Sequence, residues 1–292
     1  MSLSPATPSF VVRLPPPDRA VPVVFDSPHS GMEWPADFTP AAPREAILTT
    51  WDAFVDELWA DAPAGGATLI AACFPRAYID VNRAEDDIDP ALLDGPWPQP
   101  LATTDYSRRG MGLIRRFALP GVPMYDRPLA VAAVADRLQD CYRPYRTALR
   151  NRLDELHRAH GKVWHFNCHS MKSRGNGMNV DEGALRPDIV VSDRQGRTAD
   201  PEFTSRAAEW FAGRGFSVKI NDPYRGGDLV ATHGDPAQGR QSIQIEINRA
   251  LYMDEAGFAR GPRFAEVRRL MGRFARAHCE LAREKMAGNI AR

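Results

Sequence analysis

Two histidines stand where strand-like runs end. In VVFDSPHSG the apolar segment stops at Ser27-Pro28 and is followed by His29, and in KVWHFNCHS the segment opened by Lys162 stops at His169-Ser170. An α/β protein sets chemistry in such places, beyond the carboxyl ends of its strands. Neutral imidazole suits Zn²⁺, and a catalytic zinc site uses about three protein ligands and leaves a position for water. Two histidines from separate strands therefore call for one carboxylate. Asp52, at the start of a helical stretch, is first choice, because a helix N-terminus lies close to the strand ends in an α/β layer. Glu33, four residues after His29, is second. The bland alternatives are a strand-end histidine that only caps, and an Asp52 satisfied by the helix dipole.

A second constellation surrounds this pair. In SIQIEIN, alternation puts Ile243, Ile245 and Ile247 on one side and Gln244, Glu246 and Asn248 on the other. A carboxylate in mid-sheet is costly unless paired or used. Glu246 is thus either a salt-bridge partner of Arg249 or Arg83, or a general base whose pKa burial raises. In DVNR, Asn82 offers a directed donor and Arg83 a planar fork matched to a carboxylate. That pair would hold an acidic substrate, unless Arg83 bridges the acidic loop at Glu85, Asp86 and Asp87.

The elements that must position these groups alternate between strand and helix. Residues 1–20 are Pro-rich and read as an irregular arm, and residues 21–292 as a single catalytic α/β domain. Strands are expected at Val21–Ser27, Ala67–Cys73, Ala77–Val81, Gly112–Phe117, Lys162–Cys168, Ile189–Ser192, Phe216–Ile220 and Ser242–Asn248. Helices are expected at Thr50–Ala62, at Arg127–His160 with Pro144 dividing it, at Pro201–Ala212 and from Pro262 to about Met286. Glu85 to Gly110 is a loop too long to be a plain connector. The pattern predicts a three-layer α/β sandwich around a mixed, mostly parallel sheet.

Composition excludes several partners. The chain has 292 residues, with 37 basic and 37 acidic side chains, so its formal net charge is zero. Nucleic acids and anionic membranes need a basic surface instead. No apolar run reaches the roughly 20 residues of a bilayer span, and the N-terminus shows no signal peptide. The four cysteines are widely spaced with no CxxC. That indicates neither a disulfide framework nor a cysteine zinc site and favours a reducing compartment, the cytoplasm. Cys168 as a nucleophile for His169 is disfavoured, since adjacent strand residues point to opposite faces.

In order, SPHSG, FPRAYIDVNR, NCHSM, NDPYRGG and SIQIEINRALY resemble the N-formylglutamate amidohydrolases, zinc-dependent enzymes of bacterial histidine degradation with a metallocarboxypeptidase-like fold. The resemblance runs from about Val23 to Tyr252. It implies one Zn²⁺ and hydrolysis of N-formyl-L-glutamate to formate and glutamate. By likeness to the carboxypeptidase-like group, His29 and His169 are metal ligands, Asn82 and Arg83 the carboxylate clamp and Glu246 the base. The ligand Glu those enzymes carry three residues after their first His is here Met32, so Asp52 takes that place. A substrate with two carboxylates needs a second anchor, for which Arg115, Arg225 and His233 are candidates. Another N-acyl acidic amino acid as substrate, or a non-catalytic acidic amino-acid binding protein, are the competing readings.

Overall fold

The computed structural model describes residues 8–290. Its centre is a seven-stranded sheet built from β1 (Phe10–Arg13), β2 (Val23–Ser27), β3 (Thr68–Ala72), β4 (Val163–Met171), β5 (Ile189–Ser192), β6 (Val218–Ile220) and β7 (Arg240–Asn248), in the order β1-β3-β2-β4-β7-β5-β6. β3, β2, β4 and β7 run parallel. β1 pairs antiparallel with β3, and β5 antiparallel with β7. The sheet is therefore mixed and mostly parallel, as expected.

Helices cover both faces. On one side α3 (Pro201–Ala212) and α5 (Phe264–Ile290) bury Phe25, Phe166, Ile243 and Ile245. Phe25 and Phe166 are register partners on β2 and β4, and their rings stack at 4.6 Å. Truncating either to Ala costs about 3–5 kcal/mol by the general behaviour of core aromatics. On the other side α1 (Val131–Arg137) and α2 (Arg143–His160) cover Val24, Ile70 and Val163.

Alternation sets the function of β4. Phe166 and Cys168 point into the apolar core, while His165, Asn167 and His169 share the opposite face. On neighbouring β7, Gln244 and Glu246 lie on that same polar face. Cys168 is fully buried, which removes it as a nucleophile for His169.

Five local expectations change. Phe10–Arg13, placed in an irregular arm by the prolines around it, forms edge strand β1, while residues 1–7 of that arm lie outside the described residues. Ala77–Val81 is a run of turns: its side chains are buried, but the Tyr78 N–H bonds Pro75 O and the Asp80 N–H bonds Leu113 O. A short apolar run does not distinguish a strand from a buried loop. Gly112–Phe117 forms no continuous strand: Arg115 makes an isolated bridge with Met111, and Phe117–Leu119 pairs in a small ribbon with Val122–Pro123. The helix expected over Thr50–Ala62 is reduced to the turn Val55–Leu58, because Trp51 Nε1 donates to Ser30 O and the Asp52 N–H to His29 O. Those tertiary bonds hold Trp51 and Asp52 outside helical geometry. Pro144 marks no break; α1 continues through a π-helical stretch, Leu138–Tyr142, into α2, which accommodates the missing proline N–H.

Candidate metal centre and its pocket

The two strand-end histidines meet. Nδ1 of His29 lies 3.0 Å from Nδ1 of His169, and Asp52 Oδ2 lies 3.3 Å and 3.0 Å from the two nitrogens. All three side chains are buried. His29 follows β2, His169 sits near the end of β4, and Asp52 is pulled against them by the bond from its own N–H to His29 O. Asp52 is thus the carboxylate of the set, and Glu33, exposed to solvent, is excluded.

The surrounding groups determine how the rings are protonated. His29 Nε2 is 2.6 Å from Asp80 Oδ1, and His169 Nε2 is 2.7 Å from Asn167 Oδ1. Asn167 cannot turn its amide around, because its Nδ2 donates to Asp26 Oδ1 at 2.8 Å. Asn82 Nδ2 also stands 3.1 Å from His169 Nε2. Both of those groups are donors, so the shorter contact to the Asn167 oxygen carries the hydrogen bond. With each Nε2–H given away, both Nδ1 atoms present lone pairs to one another and to a carboxylate. Three such atoms converging need a cation between them, a proton on one ring or a metal ion in its place. Atoms about 2 Å from one zinc ion in tetrahedral array lie about 3.3 Å apart, which matches this triangle. The residues fit a divalent metal.

The acids stay ionised. Burial alone would raise the Asp52 carboxyl, but the two imidazoles and Arg76 outweigh it and hold it well below the usual carboxylate range. Asp52 Oδ1 receives Arg249 Nη2 at 3.0 Å, which leaves Oδ2 for the histidines. Asp80 behaves likewise: burial is overcome by Arg76, whose Nη2 is 2.7 Å away, and by His29. Glu246 differs. It is the register partner of His169 on β7, accepts from Gln244 Nε2 at 2.8 Å, and has its pKa raised, chiefly by burial. It lines the pocket with Asp52 and His169. Neither Arg249 nor Arg83 pairs with it; Arg249 goes to Asp52, Thr49 O and Ser170 Oγ.

Above these groups lies a pocket of about 120 Å³. Asn82 and Arg83 line it together. Asn82 Oδ1 accepts the Leu229 N–H, which aims its Nδ2 at His169. Gly227 permits this, since a Cβ there would sit 2.4 Å from Asn82 Nδ2. Arg83 donates to the Met111 and Asn82 carbonyls and lies over the Tyr106 ring at 4.1 Å. The alternative, a bridge from Arg83 to the acidic loop at Glu85, Asp86 and Asp87, is not formed.

Arg115 and exposed Arg225 also line the pocket, but His233 does not. His233, on α4 (Asp228–His233), packs edge-on against His165 at 5.9 Å, and its buried Nε2 has no partner. Helical phase turns it under the sheet, so it is no substrate anchor. Arg76, Asp80, Asn167 and Lys172 belong to the site without having been singled out, and Arg249 serves Asp52 in place of Glu246. Arg76 and Asp80 could have been found by their i, i+4 spacing. Asn167 could have been found by its alternation with His169 on β4.

Fold and site together define a class: an α/β protein with a His-Asp-His metal-type donor set at the carboxyl edge of a mostly parallel sheet, under a cation-rich pocket. The family is specific. The profile of the N-formylglutamate amidohydrolases matches residues 21–253, and the chain belongs to that family. It is 28% identical to an N-formylglutamate deformylase of Pseudomonas putida over 239 residues, covering 80% of this chain and 83% of the relative. A deformylase of the same description from Pseudomonas aeruginosa is 28% identical over 258 residues, covering 85% and 89%. The crystal structure of an N-formylglutamate amidohydrolase from Ralstonia eutropha JMP134 superposes with a TM-score of 0.90 at 40% identity, covering 96% of this chain and all of that one.

Proposed function

We propose that this protein is a zinc-dependent amidohydrolase that cleaves N-formyl-L-glutamate to formate and L-glutamate. The observation that carries the reading is the pairing of His169 with Glu246 on adjacent strands. Buried Glu246 thereby stands beside His169 of the His-Asp-His set and lines one pocket with His169 and Asp52, which supports a general-base role for it. His29 Nδ1, His169 Nδ1 and Asp52 Oδ2 would hold the ion. Bound there, the metal would supply a Lewis acid for the formyl carbonyl and a water acidic enough to be used near neutral pH.

The chain's own groups do the rest. Glu246 takes the proton of the attacking water and returns one to the departing amine. Asn82 and Arg83 hold one substrate carboxylate, and Arg115 and Arg225 stand by for the other. The sheet with ligands beyond its strand ends supports a carboxypeptidase-like arrangement in which Asp52 replaces the carboxylate missing at Met32. Family resemblance and the widely spaced cysteines support a place in histidine breakdown in the cytoplasm; among the described residues no helix is long and apolar enough to cross a membrane.

The decisive assay follows formate release from N-formyl-L-glutamate and N-formyl-L-aspartate, and acetate release from N-acetyl-L-glutamate, before and after chelation. Turnover of the first, lost with the metal and restored by zinc, is expected. Turnover only of the acetyl compound would transfer the reading to another deacylase, and unchanged ligand in every arm would make it a binding protein.

A further inference from the structure

Cations crowd the pocket, and their partners separate them. Arg76 is bound by Asp80, Arg249 by Asp52, and Arg186 by Asp181 at 2.7 Å. Arg83 is fixed by two backbone carbonyls. Three further cations lining the same pocket have no such partner among the described residues, exposed Arg225, Arg115 and Lys172, and only the last two are withdrawn from solvent. Arg115 is only 7% exposed, yet its buried Nε bonds to nothing and no carboxylate meets its guanidinium. Lys172, half-buried directly after β4, makes no side-chain hydrogen bond or ion pair. Burial and the neighbouring Arg249 and Arg115 charges lower its pKa to about 8. Burial, with Arg76 beside it, brings Arg115 down to about 9. Desolvated, mutually repelling cations are costly by themselves and become favourable when an anion sits between them.

Position decides which anion. Asn82 abuts His169, so the Asn82–Arg83 clamp is next to the reacting amide, where the α-carboxylate must lie. Lys172 is three residues beyond His169, roughly 10 Å along an extended strand, and lines the same pocket, where the far carboxylate of a longer substrate side chain would extend. We infer that Arg115 and Lys172 form a second carboxylate subsite, which takes the side-chain carboxylate, and that Lys172 selects dicarboxylic over neutral N-formyl amino acids. The assignment rests on the proposed deformylase reading for its substrate, and on the geometry of the pocket alone for its ligand class.

The test compares the metal-loaded protein with Lys172→Met and Lys172→Arg on N-formyl-L-glutamate and N-formyl-L-glutamine. Lys172→Met is expected to lower kcat/KM for the glutamate substrate by about 10- to 100-fold, the range for a lost charge-assisted bond. The loss should fall mainly in KM, the glutamine substrate should change by less than about threefold, and Lys172→Arg should restore most of the preference. Equal losses on both substrates would overturn the subsite. Calorimetric binding of glutarate against butyrate separates this inference from the reaction. Weaker glutarate binding by Lys172→Met, with butyrate unaffected, upholds the subsite even if the wild type releases no formate. Unchanged glutarate binding overturns it even if the wild type is fully active.

Discussion

The Nε2 of His29 lies 2.6 Å from Asp80 Oδ1, and this one contact determines what the other ring nitrogen can do. In the neutral ring it places the proton on Nε2 and leaves the Nδ1 lone pair aimed at His169 and Asp52. A partner that orients a ligand in this way typically contributes 10- to 100-fold in metal affinity. Asp80→Asn should therefore weaken zinc binding by about that factor, measured by competition with a chromogenic chelator. Unchanged affinity would show that His29 does not depend on Asp80.

Removing the proposed carboxylate ligand outright is more severe. Asp52→Asn is expected to leave the purified protein with much less than one zinc per chain by elemental analysis, and chelation of the wild type should abolish turnover. Full metal content in Asp52→Asn would return the third-ligand question to an acid outside the triangle.

Glu246→Gln is close in shape and should keep its metal. Its kcat should fall by about 10²- to 10⁴-fold, the usual contribution of a positioned general base. Normal zinc content with wild-type kcat would remove Glu246 from the chemistry. Because burial raises its pKa above the ordinary 4.5, the base becomes protonated, and activity falls, at a higher pH than for an exposed glutamate. The acid limb of kcat/KM should lie above 4.5 in the wild type.

His233 gives a contrasting prediction. It lies outside the pocket, so His233→Leu should leave KM for N-formyl-L-glutamate within about twofold. Burial depresses its pKa from 6.5 to about 3. The unfolded chain therefore binds a proton that the folded one refuses between those values. Its contribution to stability is present above pH 6.5 and is lost as pH falls toward 3. The variant should show a flatter decline in denaturation midpoint across that window.

Gly227 tests the clamp through packing. In Gly227→Ala the new methyl would strike Asn82 at 2.4 Å. A displacement of this size next to reacting atoms costs on the order of 10²-fold, so kcat/KM should fall while the thermal midpoint moves little.

Much of this site was legible in the sequence because strands announce themselves. The alternation in SIQIEIN and the apolar run before each histidine put His29, His169 and Glu246 at one edge of a sheet. The loop residues were harder. Ala77–Val81 has the composition of a strand, yet the turns there and just after it bring Asp80 to His29 and Asn82 to His169. Asp52 was chosen for a helix N-terminus that does not form there, and it reaches the histidines through a backbone bond that no local pattern encodes. His233 misled for a related reason: a histidine in a glycine-rich segment resembles a loop ligand until the six-residue helix Asp228–His233 turns it inward. Lys172 carried no signal, since nothing in its neighbours shows that its charge lacks a counterpart.

Asp26, buried beneath the site, accepts Tyr145 Oη at 2.7 Å from α2, and His165 Nε2 and Asn167 Nδ2 at 2.8 Å from β4. Through Asn167 it reaches the ring of His169, so a carboxylate that never meets substrate connects an outer helix to the grip on the ion. Asp26→Asn, which disturbs the acceptor that fixes Asn167, should accordingly weaken zinc binding although residue 26 touches neither the ion's ligands nor the pocket.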